Sequence, residues 1–128
     1  MCSNIPNTVH TFGDINASWT LRAELRATWL CRLLNHMRTE GMKTATPRIS
    51  EDLAATMSRR FWIDDFSAGY MQRVMHRFPR QGDRMPWINP QDYRKDRKMF
   101  RDDPIADSAL VFEPAASSAA VSALEEVG

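Results

Sequence analysis

Thr8 to Phe12 (TVHTF) reads as a β-strand, and nothing strand-like follows until Ala109 to Phe112 (ALVF), nearly a hundred residues later. The first run places β-branched and aromatic residues between Pro6 and Gly13, a strand bounded by turn formers. It then passes through Gly13-Asp14 and the small polar step Asn16-Ala17-Ser18 into an apolar-periodic segment. This is how a strand hands over to a helix. A lone strand leaves its backbone N–H and C=O groups without partners, so it needs neighbours that the following sequence does not supply. The pattern therefore predicts a mainly α chain with two short strands, which is not a complete fold by itself.

The helical readings rest on period and punctuation. Helix one is expected from about Ser18 to Glu40. Leu21, Leu25, Trp29, Leu33 and Met37 recur every fourth residue, and Leu30 and Leu34 widen the stripe. Asn16 and Ser18 are both competent N-caps, and Gly41 supplies the left-handed position that ends a helix. The stretch ISEDLAATMSRRFW reads either as a short helix capped by Ser50 or as loop. Helix three is expected over Ser67–Phe78, with Tyr70, Val74 and Phe78 on one side, Met71 and Met75 beside them, and Pro79 as the stop. RQGDRMPWINP is turn-rich. Helix four is expected to start with Asn89 as N-cap, Pro90 at the first position and Asp92 two residues on, ending near Asp103-Pro104. The remainder, 114–128, is Ala/Ser-rich and acidic and reads as disordered or as a frayed helix.

Charge excludes little, because the formal net charge is only +1. Its distribution is uneven. Nine Lys/Arg stand against three Asp/Glu between Arg73 and Arg101, and six acids with no base follow from Asp102 onward. Interleaved aromatics (Phe78, Trp87, Tyr93, Phe100) give the basic segment the composition of a small helical interaction or nucleic-acid module. Amphipathic packing, with rings inward and cations in water, accounts for the same pattern without a ligand. Cys2 and Cys31 match no zinc or redox spacing, and the expected compartment is the cytoplasm. No apolar run is long enough to cross a bilayer, so no membrane partner is expected. His10, His36 and His76 form no metal-ligand pattern, and no nucleophile or acid–base pair is assigned.

One site candidate remains. A helix N-terminus exposes unpaired N–H groups at the positive end of the macrodipole, so Gly13, Asn16, Ala17 and Ser18 are placed where a phosphate or the polar edge of a flavin would sit. By itself this is also an ordinary capped helix.

The run IPNTVHTFGDINASWTLRAEL, then CRLLNHM, TPR and DDFSAGYMQRVMHRFPRQGDRMPW, resembles the C-terminal region of bacterial flavin-containing monooxygenases of the Baeyer–Villiger type. The branch is that of the mycobacterial ethionamide-activating monooxygenase, and the resemblance covers roughly residues 3 to 113. It implies a two-dinucleotide-binding-domain α/β flavoprotein that uses FAD and NADPH. Residues 1–113 would then be the C-terminal part of the FAD domain. Thr8–Phe12 would be its last strand, and Asn16 to Ser18 would open the helix that points at the flavin. Both glycine fingerprints and the family's catalytic arginine would lie upstream, in sequence this chain does not contain. The resemblance thus implies a chain that binds neither cofactor alone, and whose partner is the missing nucleotide-binding domains as a separate chain. Asp14 departs from the family pattern, which has tyrosine after this glycine; a carboxylate there would itself occupy the anion site.

Overall fold

The computed structural model describes residues 2–14, 18–63 and 68–115. The order of elements is α1 (Trp19–Thr39), β1 (Met42–Pro47), α2 (Glu51–Thr56), α3 (Gly69–Val74), α4 (Tyr93–Arg97) and β2 (Leu110–Pro114). A 3₁₀ turn, Met75–Arg77, prolongs α3, and a π turn, Lys98–Asp102, prolongs α4. Over the described residues the protein is mainly helical with one two-stranded antiparallel sheet.

α1 forms where periodicity places it, and Gly41 ends it at φ +68°, a conformation costly for any side chain with a Cβ. The chain then reverses directly into β1. The strands pair as Ala45↔Phe112, Thr46↔Val111 and Pro47↔Leu110, with a bulge between Met42 and Thr44. β2 is the ALVF strand the sequence announces. β1 (MKTATP) is not, since Lys, Ala and Pro are poor strand formers. Its strand state comes from its neighbours: α1 covers one face, and Leu33, Met37, Ala45 and Leu110 close a core there with Trp29, Ile105 and Phe112.

Thr8–Phe12 is not a strand. The chain meets β1 earlier, where the Asn4 N–H donates to the Pro47 carbonyl at 2.8 Å and the Asn7 N–H to that of Ala45 at 3.0 Å. The Asn7 side chain adds two bonds, donating to the Lys43 carbonyl at 3.1 Å and accepting from the Ala45 N–H at 3.0 Å. Both asparagines take positive φ, 63° and 51°, which asparagine tolerates better than most residues. With the edge of β1 occupied by Asn4 and Asn7, the chain turns away and TVHTF is left without a strand to pair with.

α1 buries Leu25, Leu33 and Met37, but Leu21 and Leu34 are exposed and Arg22, 2% exposed, takes the first-turn place in the buried stripe. α3 is shorter than expected, and of its Tyr70–Val74–Phe78 side Val74 and Phe78 pack against the core while Tyr70 does not. Met71 and Met75 are buried with Ile63, while Tyr70 is 61% exposed. Phe78 leaves the helical region (φ −80°, ψ 155°), as a residue before proline must. α2 is a helix, with the Ser50 hydroxyl accepting from the Leu53 N–H at 3.3 Å. α4 starts at Tyr93, capped by Asp92, whose Oδ1 accepts from the N–H groups of Arg94 at 2.9 Å and Lys95 at 3.3 Å. Asn89 and Pro90 are therefore not its start; Asn89 is held elsewhere. Pro114 still pairs with Met42, so the strand runs one residue past 113, and the rest of the tail from 116 lies outside the described residues.

Candidate functional site

The residues at the start of α1 are engaged mainly with one another. Gly13 is buried beneath the indole of Trp19, which a Cβ at position 13 would strike, so this glycine is required by a side chain of the same chain. Ser18 is the N-cap residue, but its hydroxyl caps nothing and pairs instead with that of Thr20 at 2.8 Å. Its carbonyl accepts from the Leu21 N–H at 3.1 Å. Asp14, which follows Gly13 in the chain, is buried. Asn16 and Ala17 lie outside the described residues. The described part of this terminus is thus a glycine covered by an indole, an internally bonded serine and a buried carboxylate. It fits a phosphate or flavin edge poorly.

One turn further along, the structure brings together residues that the sequence reading did not single out. Arg22 and Asp96, 2% and 0% exposed, form a buried pair joining α1 to α4. Arg22 Nε lies 2.9 Å from Asp96 Oδ2, within ion-pair range but not aligned as a hydrogen bond; the aligned bond is Nη2 to Asp96 Oδ1 at 3.2 Å. Arg22 Nη2 also donates to Asn89 Oδ1 at 2.6 Å. Asn89 in turn donates from Nδ2 to the Trp62 carbonyl at 3.1 Å and from its backbone to Gln81 Oε1 at 2.7 Å. Gln81 is tied to Arg60 by reciprocal backbone bonds of 2.8 and 3.1 Å. A single buried network therefore links α1, α4 and the connections before and after α3. Arg22 Nη1 is buried with no hydrogen-bond partner among the described residues.

The electrostatics follow from burial. Desolvation raises the Asp96 carboxyl above the ordinary range, against the opposing pull of Arg22. Arg26, one turn along α1, is lowered to about 10, by burial first and by the neighbouring Arg22 charge second. It donates to the His10 carbonyl at 2.8 Å and so holds the segment that leads into α1. The signal for Arg22 was present: positions 22, 25, 29 and 33 share one helical face, which puts an arginine on the buried stripe.

The basic segment packs as amphipathic structure. Trp87 is buried and Phe78, Tyr93 and Phe100 are half-buried. Arg80 stacks over Phe61 at 4.4 Å, and Arg84 pairs with Asp83 at 2.7 Å. Among the described residues no His/Cys/Asp/Glu group is placed to hold a metal, and no helix is long and apolar enough to cross a membrane.

By sequence, this chain is similar to FAD-containing monooxygenases over about nine-tenths of its length. It is 40% identical over 116 residues to the putative FAD-containing monooxygenase MymA of Mycobacterium tuberculosis, a match that takes in 91% of this chain and 23% of that protein. It is 38% identical over 112 residues to the FAD-containing monooxygenase EthA of Mycolicibacterium smegmatis, and 34% over 112 residues to the probable FAD-binding monooxygenase AlmA of an Acinetobacter species. Each of these two matches takes in 88% of this chain and 22% of the relative. The chain therefore spans less than a quarter of the length of the relatives it matches. No protein-family model and no solved structure matches it.

Proposed function

We propose that this chain corresponds to the C-terminal portion of a cytoplasmic Baeyer–Villiger-type flavin monooxygenase, inactive by itself and competent only together with the nucleotide-binding domains. In this reading the complete assembly oxygenates ketones, sulfides or thioamides with FAD, NADPH and O2. This part contributes α1 and the buried Arg22–Asp96–Asn89 network as a support for the flavin domain. The observation that carries the reading is the disproportion of the match, nine-tenths of this chain against less than a quarter of each relative. The terminus of α1 agrees with it: Gly13 and Ser18 are committed to contacts within the chain, so they offer a flavin few of the many contacts that a two-domain site provides.

Flavin content is the test. The purified chain is expected to be colourless and to leave FAD fluorescence unquenched. Co-expression with a chain carrying both nucleotide-binding domains is expected to give a co-eluting complex that retains flavin and oxidises NADPH. Saturable FAD binding by this chain alone in the low micromolar range would refute the first half of the proposal. Separate elution, with flavin no higher than the partner holds alone, would refute the second.

A further inference from the structure

A cleft lies away from the start of α1, between that helix and the segments that flank α4, with a volume of about 240 Å³. Its walls include Trp29, Met85, Met99 and Leu110, and two carboxylates, Asp103 and Asp107, line it as well. Trp29 is half-buried and held edge-to-face against Phe100 at 6.5 Å. Asp103 is half-buried, and its carboxylate has no hydrogen-bond or ion-pair partner among the described residues. Asp107 accepts one bond, from the Ala109 N–H at 2.9 Å. The nearby cation, Arg32, is directed at backbone: it donates to the Phe100 carbonyl at 2.7 Å and the Asp103 carbonyl at 2.8 Å. It fixes the backbone of this wall and lowers its net negative charge without pairing with either carboxylate.

An indole, two thioethers and an aliphatic wall beside two carboxylates form a chemically specific lining. An uncharged ligand would leave Asp103 half-desolvated and unpaired, and an anion would be repelled. An alkylammonium satisfies both halves: its charge faces the carboxylates and draws on the indole ring, while its methyl groups rest on Met, Leu and Trp carbon. We propose that this cleft binds a small organic cation of the quaternary ammonium class, with Trp29 as the aromatic wall and Asp103 and Asp107 as counter-ions.

The test uses the unaltered 128-residue chain labelled with ¹⁵N, titrated at matched ionic strength with choline and, separately, with its uncharged carbon isostere 3,3-dimethylbutan-1-ol. The four tryptophans give separate indole N–H signals, and Trp29→Phe assigns the one of interest. Choline is expected to shift the Trp29 signal saturably, with a dissociation constant on the order of 1 mM. The alcohol, and choline on Asp103→Asn, are each expected to bind about tenfold more weakly. Equal binding of the alcohol would overturn the proposal in favour of a merely apolar cleft. A choline response spread evenly over all four indoles, or none that saturates, would overturn it outright. If Asp103→Asn fails to fold by circular dichroism, the comparison of the two probes on the unaltered chain decides.

Discussion

Arg22 and Asp96 carry opposite charges in a place where neither would be stable alone. Removing one partner from a buried pair leaves the other uncompensated, which costs about 3–5 kcal/mol, while replacing both with apolar residues often costs much less. Arg22→Met and Asp96→Asn are therefore each expected to lower the urea midpoint severely, and Arg22→Met/Asp96→Leu less than either; additive losses would show that the two act separately. Asp96 also gives stability a particular pH dependence. Its folded-state pKa is raised, so over the interval from the ordinary carboxylate range up to that raised value the folded state holds a proton that the unfolded state has released. Stability from this group is thus present at low pH and lost as pH rises through the interval. Urea melts at pH values rising from the ordinary carboxylate range should show the decline in the unaltered chain and its absence in Asp96→Asn. At the start of α1, Gly13→Ala drives a methyl group into the Trp19 indole. The indole is exposed enough to swing aside, so Gly13→Ala is expected to cost about 1–3 kcal/mol, and only a fraction of that in a Trp19→Ala background. Equal costs in both backgrounds would place the clash elsewhere.

At the scale of elements, legibility followed how local the determinants are. α1, its end at Gly41 and the β2 strand were readable, because periodicity, caps and β-branched runs act within a few residues, whereas α2 could be read as a Ser50-capped helix or as loop and the structure makes it a helix. β1 was not, since MKTATP becomes a strand only because β2 and α1 lie against it. The start of α4 moved from Asn89 to Asp92 for a tertiary reason: Arg22, Gln81 and Trp62 engage Asn89, and Asp92 caps instead. α3 turned its methionines inward because Ile63 and Phe12 lie on that side, which no single-segment pattern reports. The same non-locality hid the Arg22–Asp96 pair, whose partners are 74 residues apart. Asn7 offers a test at this scale. It makes three of the four bonds described between the N-terminal segment and β1, one through its backbone and two through its side chain. Asn7→Ala removes the two side-chain bonds and a residue suited to positive φ, and is expected to cost about 1–3 kcal/mol. Faster hydrogen exchange at the Ala45 amide and cleavage near residues 4–10 at low protease would show it; unchanged protection would mean that the backbone contacts suffice.

Across the whole molecule, the apolar surface is not fully gathered in. Val9, Trp19, Leu21, Leu34, Phe61 and Tyr70 are all exposed. Each forgoes part of the about 1.5–3 kcal/mol that full burial of a large side chain is worth, a serious sum against the usual 5–15 kcal/mol of a folded domain. The chain alone is expected to bind hydrophobic dyes and to self-associate with rising concentration in sedimentation. A monomer with a sharp two-state melt and no dye binding would contradict this. The way residues 4–7 lie along β1 bears on how any larger body is joined to this one. A single amide side chain finishes the outer margin of β1 as a hem finishes cloth, so the two-stranded sheet cannot be widened on that side without first unpicking Asn7. On the proposed function, a neighbouring domain would meet this chain away from that margin, as a body laid against exposed apolar side chains such as Leu34 of α1 rather than a sheet woven through β1. Mass-spectrometric footprinting of a reconstituted pair would register that as protection at Leu34, with the protection of Ala45 unchanged.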